Sequence, residues 1–491
     1  MMAFVAVALA TGAMCGGFEV QQVETFPASG ITAYKFVHKA TGARWAHLAY
    51  DDSENLFSIT FPTLPTDDTG VPHIMEHSVL AGSEKYPVRD PFFALFKMSM
   101  ATFLNAYTSS DHTCYPVTSN VRADLMNLAD VYFDAVFHPL LTESTFKREG
   151  WHYVPNDTND PTGALSLSGI VYSEMKSAYS RPERSLWEGL DAALLPGTGY
   201  DRSSGGDPEH IPDLTYAAYC AFHRERYTPS AAVFATYGNI APEAWAAFLD
   251  ARLAGVKAAA AVKPPAVSSL AAPHLNGIQS VRSSYDSGEG STAAKTFLLT
   301  GWRVPGSADP DTEMLFEILA DVLGGDDAAP LKRAIVDSKL GTDFIGCSYG
   351  SEGPFGVFSV GIRGSEESRS PSFRALIEKT LREICGKGIP PDLVESAFRR
   401  MTYEVREIRD KRPLSLGNSV ASSWARGFDA FAPLRKAEVL ERCRAAFRKD
   451  PALFTKLIRR WLLDNSERVD IVHVPEPGLQ RRAAEAMAAA P

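Results

Sequence analysis

His73, Glu76 and His77 fall at i, i+3 and i+4, with Leu80 at i+7, so on a helix they share one face. Gly70-Val71-Pro72 opens that stretch and Gly82 closes it. Proline tolerates the first helical position, where its missing N–H is harmless, and glycine supplies a stop, so the spacing predicts a helix over 72–81. Two imidazoles one turn apart can aim at a single point about 2 Å from each, and the glutamate between them projects beside that point without having to ligate. The pattern suits a zinc ion with a proton-moving carboxylate next to it. The ordinary alternative is a surface helix with two solvated histidines, or one satisfied in the core. With 11 His in 491 residues, HxxEH arises by chance in roughly one or two of every hundred such chains, so it needs company.

A hydrolytic zinc site takes three protein ligands and keeps one position for water. Residues 167–182 read as a helix in which Glu174 lies on the stripe of Ile170, Val171 and Ala178, the side expected to face the core. A carboxylate there is costly unless a cation or metal accompanies it. A salt bridge from Lys or Arg is the everyday explanation, and a metal is the other.

The elements that must position these groups fall into two similar series. Strand-like runs at 33–37, 45–49 and 56–61 precede the histidine helix; further helices and a strand at 232–237 follow it. A stretch rich in Ala, Pro and Ser, Leu253 to Gly277, reads as a linker. The order then recurs, with a strand at 296–300, a helix at 312–323, a second helix to about Ser338, and strands at 344–349 and 357–362. Pro72 to Gly82 and Glu313 to Gly325 occupy equivalent places, which suggests a duplicated α+β unit whose second copy has no histidine in its helix. The expected division is an apolar leader or disordered tail at 1–16, a histidine-bearing domain at 17–253, a linker at 254–277, a second domain at 278–480 and a tail at 481–491.

Bulk properties narrow the function classes. Hydrophobic residues make up 45% and charged residues 22%, enough apolar surface for two cores. The formal charge of -10 argues against a nucleic-acid binder, which needs a positive surface to displace counterions. Six scattered cysteines without a CxxC pair suit a reducing compartment, and a cytoplasmic location is expected, with periplasm or organelle left open. No Lys or Arg precedes the short apolar start as an export signal would require. No later apolar run approaches the roughly 20 residues that span a bilayer.

The order HxxEH, followed 97 residues after His77 by Glu174 in VYSEMK, resembles the inverzincins of the M16 (pitrilysin-type) peptidase family, and more narrowly its presequence-protease branch. The resemblance is carried by 69–93 (TGVPHIMEHSVLAGSEKYPVRDPFF), 102–116 (TFLNAYTSSDHTCYP), 169–177 (GIVYSEMKS), 204–215 (SGGDPEHIPDLT) and 222–239 (FHRERYTPSAAVFATYGN). It implies two M16-type domains, each a mostly antiparallel sheet packed against helices. It also implies one Zn2+ per chain on His73, His77 and Glu174, with Glu76 as general base, and cleavage of unstructured oligopeptides.

The segments 102–107 and 113–117 read as two strands joined by Ser109-Ser110-Asp111-His112, and a core hairpin is the plain interpretation. The resemblance makes the first strand an exposed edge that takes substrate as an added strand, with Asn105, Ala106 and Tyr107 at the binding position. It also places Leu80, Phe92 and Phe93 around an apolar pocket for the side chain before the cut. His112, His210 and His223 are read as hydrogen-bonded structural residues.

The resemblance also marks a departure. Presequence-type proteases join two such halves around a chamber, and only one half is represented here, so the arginine and tyrosine of the other half have no counterpart. Three arrangements follow: a heterodimer with a separate half-chain, a homodimer, or a piece of a longer chain. The alternative function is a non-catalytic or weakly active assembly subunit of an M16 heterodimer.

Overall fold

The computed structural model describes residues 9–157, 163, 165–256, 266–407 and 411–482, the side chain of Phe93 excepted. The chain opens with β1 (Met14–Cys15), β2 (Phe18–Phe26), β3 (Ile31–His38), β4 (Arg44–Ala49) and β5 (Asn55–Pro62). Helices α1 (Val71–Val79) and α2 (Pro91–Met98) precede β6 (Ala101–Leu104), β7 (Tyr107–Thr108) and β8 (His112–Ser119). Next come α3 (Arg122–Phe137), α4 (Glu143–Glu149), the small hairpin β9 (His152–Pro155) and β10 (Leu165–Ser168), then α5 (Ile170–Ala178), α6 (Pro182–Leu194), α7 (Tyr216–Arg226), β11 (Val233–Gly238) and α8 (Pro242–Leu253). The remainder runs β12 (Gln279–Asp286), β13 (Thr296–Pro305), α9 (Pro310–Gly324), α10 (Pro330–Ser338), β14 (Asp343–Glu352), β15 (Phe355–Ser365), α11 (Ser370–Lys387), α12 (Pro391–Arg406), α13 (Arg412–Ala425), α14 (Lys436–Lys449), α15 (Leu453–Ile458) and β16 (Arg468–Glu476).

The two large sheets repeat one topology. The first has the order β1-β2-β3-β4-β11-β5-β8-β6, with β7 also paired to β8; the second has the order β12-β16-β13-β15-β14. In the first, β4 and β11 are parallel and the pairs β11/β5, β5/β8 and β8/β6 antiparallel. The second reproduces this series, with β12 parallel to β16 and the remaining pairs antiparallel. The fold is α+β with mostly antiparallel sheets, as the recurring order of elements predicts.

Each sheet is covered on both faces, and on one face by a helix from the other unit. Trp45, Phe57, Ile59 and Phe234 pack under α1, α3 and α8, while Ala46, Leu48, Leu56 and Tyr237 on the opposite face meet Val420 of α13 and Phe431. Reciprocally, Leu298, Trp302 and Phe358 pack against α9 and α11, while Phe297, Leu299, Val469 and Ile471 receive Leu186, Leu190 and Leu194 of α6. Burying each of those leucines contributes roughly 1.5–3 kcal/mol. Glycine permits the closest approaches: a Cβ on Gly301 would lie 2.5 Å from Leu190 Cδ1, and one on Gly417 would lie 2.0 Å from Leu56 Cδ2.

Several boundaries differ from the sequence expectations. In the segment expected as leader or tail, Met14–Cys15 pairs with β2 and Cys15 is buried, because its small apolar side chains fill space beside α8. Residues 1–8, 257–265 of the expected linker and 483–491 of the expected tail lie outside the described residues. Within the rest of the linker stretch, Val267 is buried in the core that α6 shares with the second sheet. The six cysteines are all unpaired. Among the described residues, no helix is long and apolar enough to cross a membrane.

Candidate metal and substrate site

Helix α1 begins a residue earlier than predicted and ends at Val79, with Leu80 as its cap. Its N-cap, Gly70, is left-handed at φ 68°, and a side chain there would press to 2.5 Å from the Gly205 carbonyl oxygen. Glycine at 70, 205 and 206 therefore lets α1 seat against the 205–206 loop, which Met175 of α5 also touches. At its other end α5 starts from Gly169, φ 152°, where a Cβ would lie 2.1 Å from the Gly150 carbonyl oxygen just after α4. These close approaches fix α1, α4 and α5 relative to one another.

The consequence is convergence of His73, His77 and Glu174, whose donor atoms all lie within 4.8 Å of one another. Glu174 Oε2 is 3.6 Å from Nε2 of each histidine, and the two rings stand 5.0 Å apart at 81°. Donors around a tetrahedral zinc with bonds near 2.0–2.1 Å sit roughly 3.4 Å apart, so the set fits that ion with little adjustment. Among the described residues, the ion-pair partners of Glu174 are these two histidines rather than Lys or Arg.

Glu174 does not face the core: its side chain is 52% exposed, Ile170 is exposed too, and the buried face of α5 is Val171, Tyr172 and Met175. Seated through Val171, Tyr172 and Met175, α5 presents position 174 on the flank where His73 and His77 of α1 stand. The carboxylate thus borders solvent, which leaves the open side that a hydrolytic zinc needs.

Burial, helped by the nearby charge on His77, lowers His73 to about 4, so this imidazole is neutral, the form that binds metal. The Gly205 carbonyl faces the ring and favours its protonated form, yet the buried Nδ1 has no partner in hydrogen-bonding geometry. For His77, burial pulls the pKa down, but hydrogen bonding to Glu149 and the charges of Glu76 and Glu174 outweigh it and the net shift is upward. Burial raises Glu76, against hydrogen bonds donated by the Thr108 hydroxyl and N–H.

Glu149 is the residue that sequence reasoning missed. It ends α4, its side chain is 7% exposed, and its Oε2 lies 3.4 Å from His77 Nδ1 while Arg148 Nε donates to its Oε1 at 2.7 Å. Burial pushes its carboxyl up, but His77 and Arg148 hold it below the usual range. A signal was present, since a carboxylate in the last helical turn opposes the helix dipole and calls for a reason.

The predicted substrate strand is an edge, but a broken one. β6 and β7 each pair only with β8, and Asn105 and Ala106 lie between them outside the ladder. Asn105 and Tyr107 are exposed and Ala106 is buried. Leu80 and Phe92 are half-buried at the rim of the first core, and the side chain of Phe93 lies outside the described residues. An open cavity of about 1060 Å³ lies on the outer side of α4 and α5, lined by Ala81, Val88, Arg148 and Ser173 among others. His73, His77, Leu80 and Phe92 are not among its lining residues. His223 bonds the Val136 carbonyl at 2.8 Å and stays out of the cluster.

Residues 65–159 match the family model described as Insulinase (Peptidase family M16), and residues 213–401 match one described as Peptidase M16 inactive domain. The chain is 34% identical over 467 residues to the mitochondrial presequence protease of Mus musculus, covering 94% of this chain and 44% of that one. It is 36% identical over 472 residues to presequence protease 1, chloroplastic/mitochondrial, of Arabidopsis thaliana, covering 94% and 43%. The chain spans less than half the length of these curated relatives. A crystal structure of a protease from Helicobacter pylori superposes with a TM-score of 0.71 over 90% of this chain and 99% of that one, at 14% identity, a likeness of fold.

Proposed function

Because the chain belongs to the M16 (insulinase and pitrilysin-type) peptidase family, we propose that it is a zinc-dependent endopeptidase acting on unstructured oligopeptides. The observation that carries this reading is the meeting of His73, His77 and Glu174 within 4.8 Å, beside Glu76 on the same helix.

His73, His77 and Glu174 would hold the ion, one per chain. Zinc, when bound, supplies Lewis acidity that polarises a carbonyl and makes water a competent nucleophile near neutral pH. Glu76 takes the proton of the attacking water and hands it to the departing amine, a task suited to a half-buried carboxylate of raised proton affinity. Glu149 orients His77 from behind. An extended peptide adds to the β6–β7 edge beside Asn105, Ala106 and Tyr107, and main-chain hydrogen bonds allow many sequences to bind. Leu80, Phe92 and Phe93 favour Phe or Leu before the cut. A second M16 half, in a hetero- or homodimer or in the same longer chain, completes the chamber and supplies an oxyanion stabiliser, a group whose removal costs on the order of a hundredfold in rate.

The test is zinc content and cleavage of a quenched fluorogenic peptide by the purified chain, alone and with the protein encoded by the neighbouring gene. Zinc together with cleavage in either condition is expected. Zinc without cleavage in both would favour the assembly-subunit alternative, and absence of zinc binding would undo the proposal.

A further inference from the structure

We propose that Glu352 and Tyr200 are positioning residues for the substrate edge: they hold the β7–β8 turn from the side of the second sheet, and through it Thr108 and the Glu76 carboxylate. The inference rests on the reading of β6–β7 as the substrate strand. It assigns the histidine-free unit a part in the chemistry.

β7 is two residues long, paired on one side only and separated from β6 by an unladdered break. Such an edge frays unless something outside the ladder secures it. Its turn is where that happens. Ser110 Oγ donates to Glu352 Oε2 at 2.7 Å, and Glu352 is the last residue of β14. Asp111, 2% exposed, accepts a hydrogen bond from the Tyr200 hydroxyl, while its other oxygen lies 2.7 Å from His112 Nδ1 and its carbonyl accepts from Thr63 N–H at 2.9 Å.

Tyr200 is itself seated on the second unit. Its ring meets Phe355 edge-on at 6.4 Å, and a Cβ on Gly353 would lie 2.5 Å from its hydroxyl oxygen, at a residue whose φ of 59° already favours glycine. On the near side of the turn, the Ser109 N–H donates to the His112 carbonyl at 2.8 Å and Thr108 Oγ1 lies 3.4 Å from Thr113 Oγ1. β7 packs against α1, and Thr108 stands close enough to Glu76 to lower the proton affinity of its carboxyl. The β14–β15 turn thus bears, through Ser110 and β7, on the helix that carries the proposed general base.

The test compares Ser110→Ala, Glu352→Ala, their double variant and Ser110→Thr, each zinc-loaded and with the partner half-chain if cleavage requires it. KM for a short unstructured fluorogenic peptide should rise roughly tenfold in each alanine variant, the scale of one hydrogen bond to a charged group. The double variant should be no worse than either single, because the two side chains act as one unit. Zinc content should stay at the wild-type level, Ser110→Thr should restore KM, and deuterium uptake at residues 105–113 should rise in the alanine variants alone. Unchanged KM, additive losses or unchanged deuterium uptake would overturn the inference. A wild-type chain that binds zinc but neither cleaves the peptide nor, as Glu76→Gln, binds it would instead sink the peptidase reading, and this inference with it.

Discussion

Replacing Glu149 with glutamine separates the support of the metal site from the site itself. The substitution keeps the shape of a side chain that is 7% exposed and removes the charge 3.4 Å from His77 Nδ1. Two effects then compete. A neutral amide oxygen holds the imidazole less firmly than the carboxylate and makes its other nitrogen a poorer donor, which weakens metal binding. It also removes an interaction that raises the proton affinity of His77, so protons compete less for the ring. At mildly alkaline pH the second effect vanishes and only the first remains. Removing an outer partner of a metal-bound histidine commonly lowers affinity ten- to a hundredfold, about 1.4–2.7 kcal/mol. Arg148 loses its nearest carboxylate but retains Asp90 at 3.7 Å and partial exposure, so the fold should tolerate the change. The assay is a zinc titration against a chromogenic chelator, with circular dichroism as the control for folding. An unchanged zinc affinity in Glu149→Gln, alongside abolished binding in His77→Ala, would refute the orienting role.

Three further outcomes are expected. Glu76→Gln should retain zinc by elemental analysis and lose roughly 10²–10⁴ in kcat on a fluorogenic peptide, and full activity would exclude it as the base. Gly417→Val drives a side chain into Leu56 and should lift α13 from the first sheet. It should lower the urea midpoint by the equivalent of about 1–3 kcal/mol within a single transition, and a normal midpoint would show that the contact yields freely. Asp191 is pushed up to about 8 by burial and by the charges of Glu352 and Glu188. The unfolded chain releases this proton at its ordinary value of 3.8, so stability falls as pH rises between the two values. Asp191→Asn should therefore raise the melting temperature near pH 8 and leave it unchanged near pH 4; an equal gain at both would contradict the assignment.

The sequence carried much of the site because its key groups are local. His73, Glu76 and His77 lie within one and a half turns, and helical periodicity alone puts them on one face. Glu174 was reached through the family pattern, and the burial argument for it proved unsound: the apolar stripe of α5 runs through Val171, Tyr172 and Met175 instead. Glu149 left only the hint of a carboxylate at a helix C-terminus and Glu352 left none, because their partners come from other elements and no local period marks a residue that faces a histidine on a different helix. The central strands β4, β5, β11, β13 and β15 are buried on both faces along most of their length, so the sequence could not say which helix lies on which face. The break at Asn105–Ala106 was missed because it depends on the partner strand: Pro116 of β8 stands opposite Asn105 with no N–H to give the ladder, leaving only the Asn105 N–H to the Pro116 carbonyl at 3.5 Å.

The exchange of helices between the two units also sets a timetable for biosynthesis. When β11 has left the ribosome the first sheet is complete, yet its Ala46, Leu48, Leu56 and Tyr237 face stays bare until residues 412–425 have been made. At ordinary translation speeds that interval is on the order of ten to forty seconds. Helix α6 waits likewise for β13 and β16. A nascent chain with so long an uncovered apolar sheet is a natural client for chaperones. Expressing residues 17–253 without the rest would make that exposure permanent, leaving an adhesive surface where the full chain has a core.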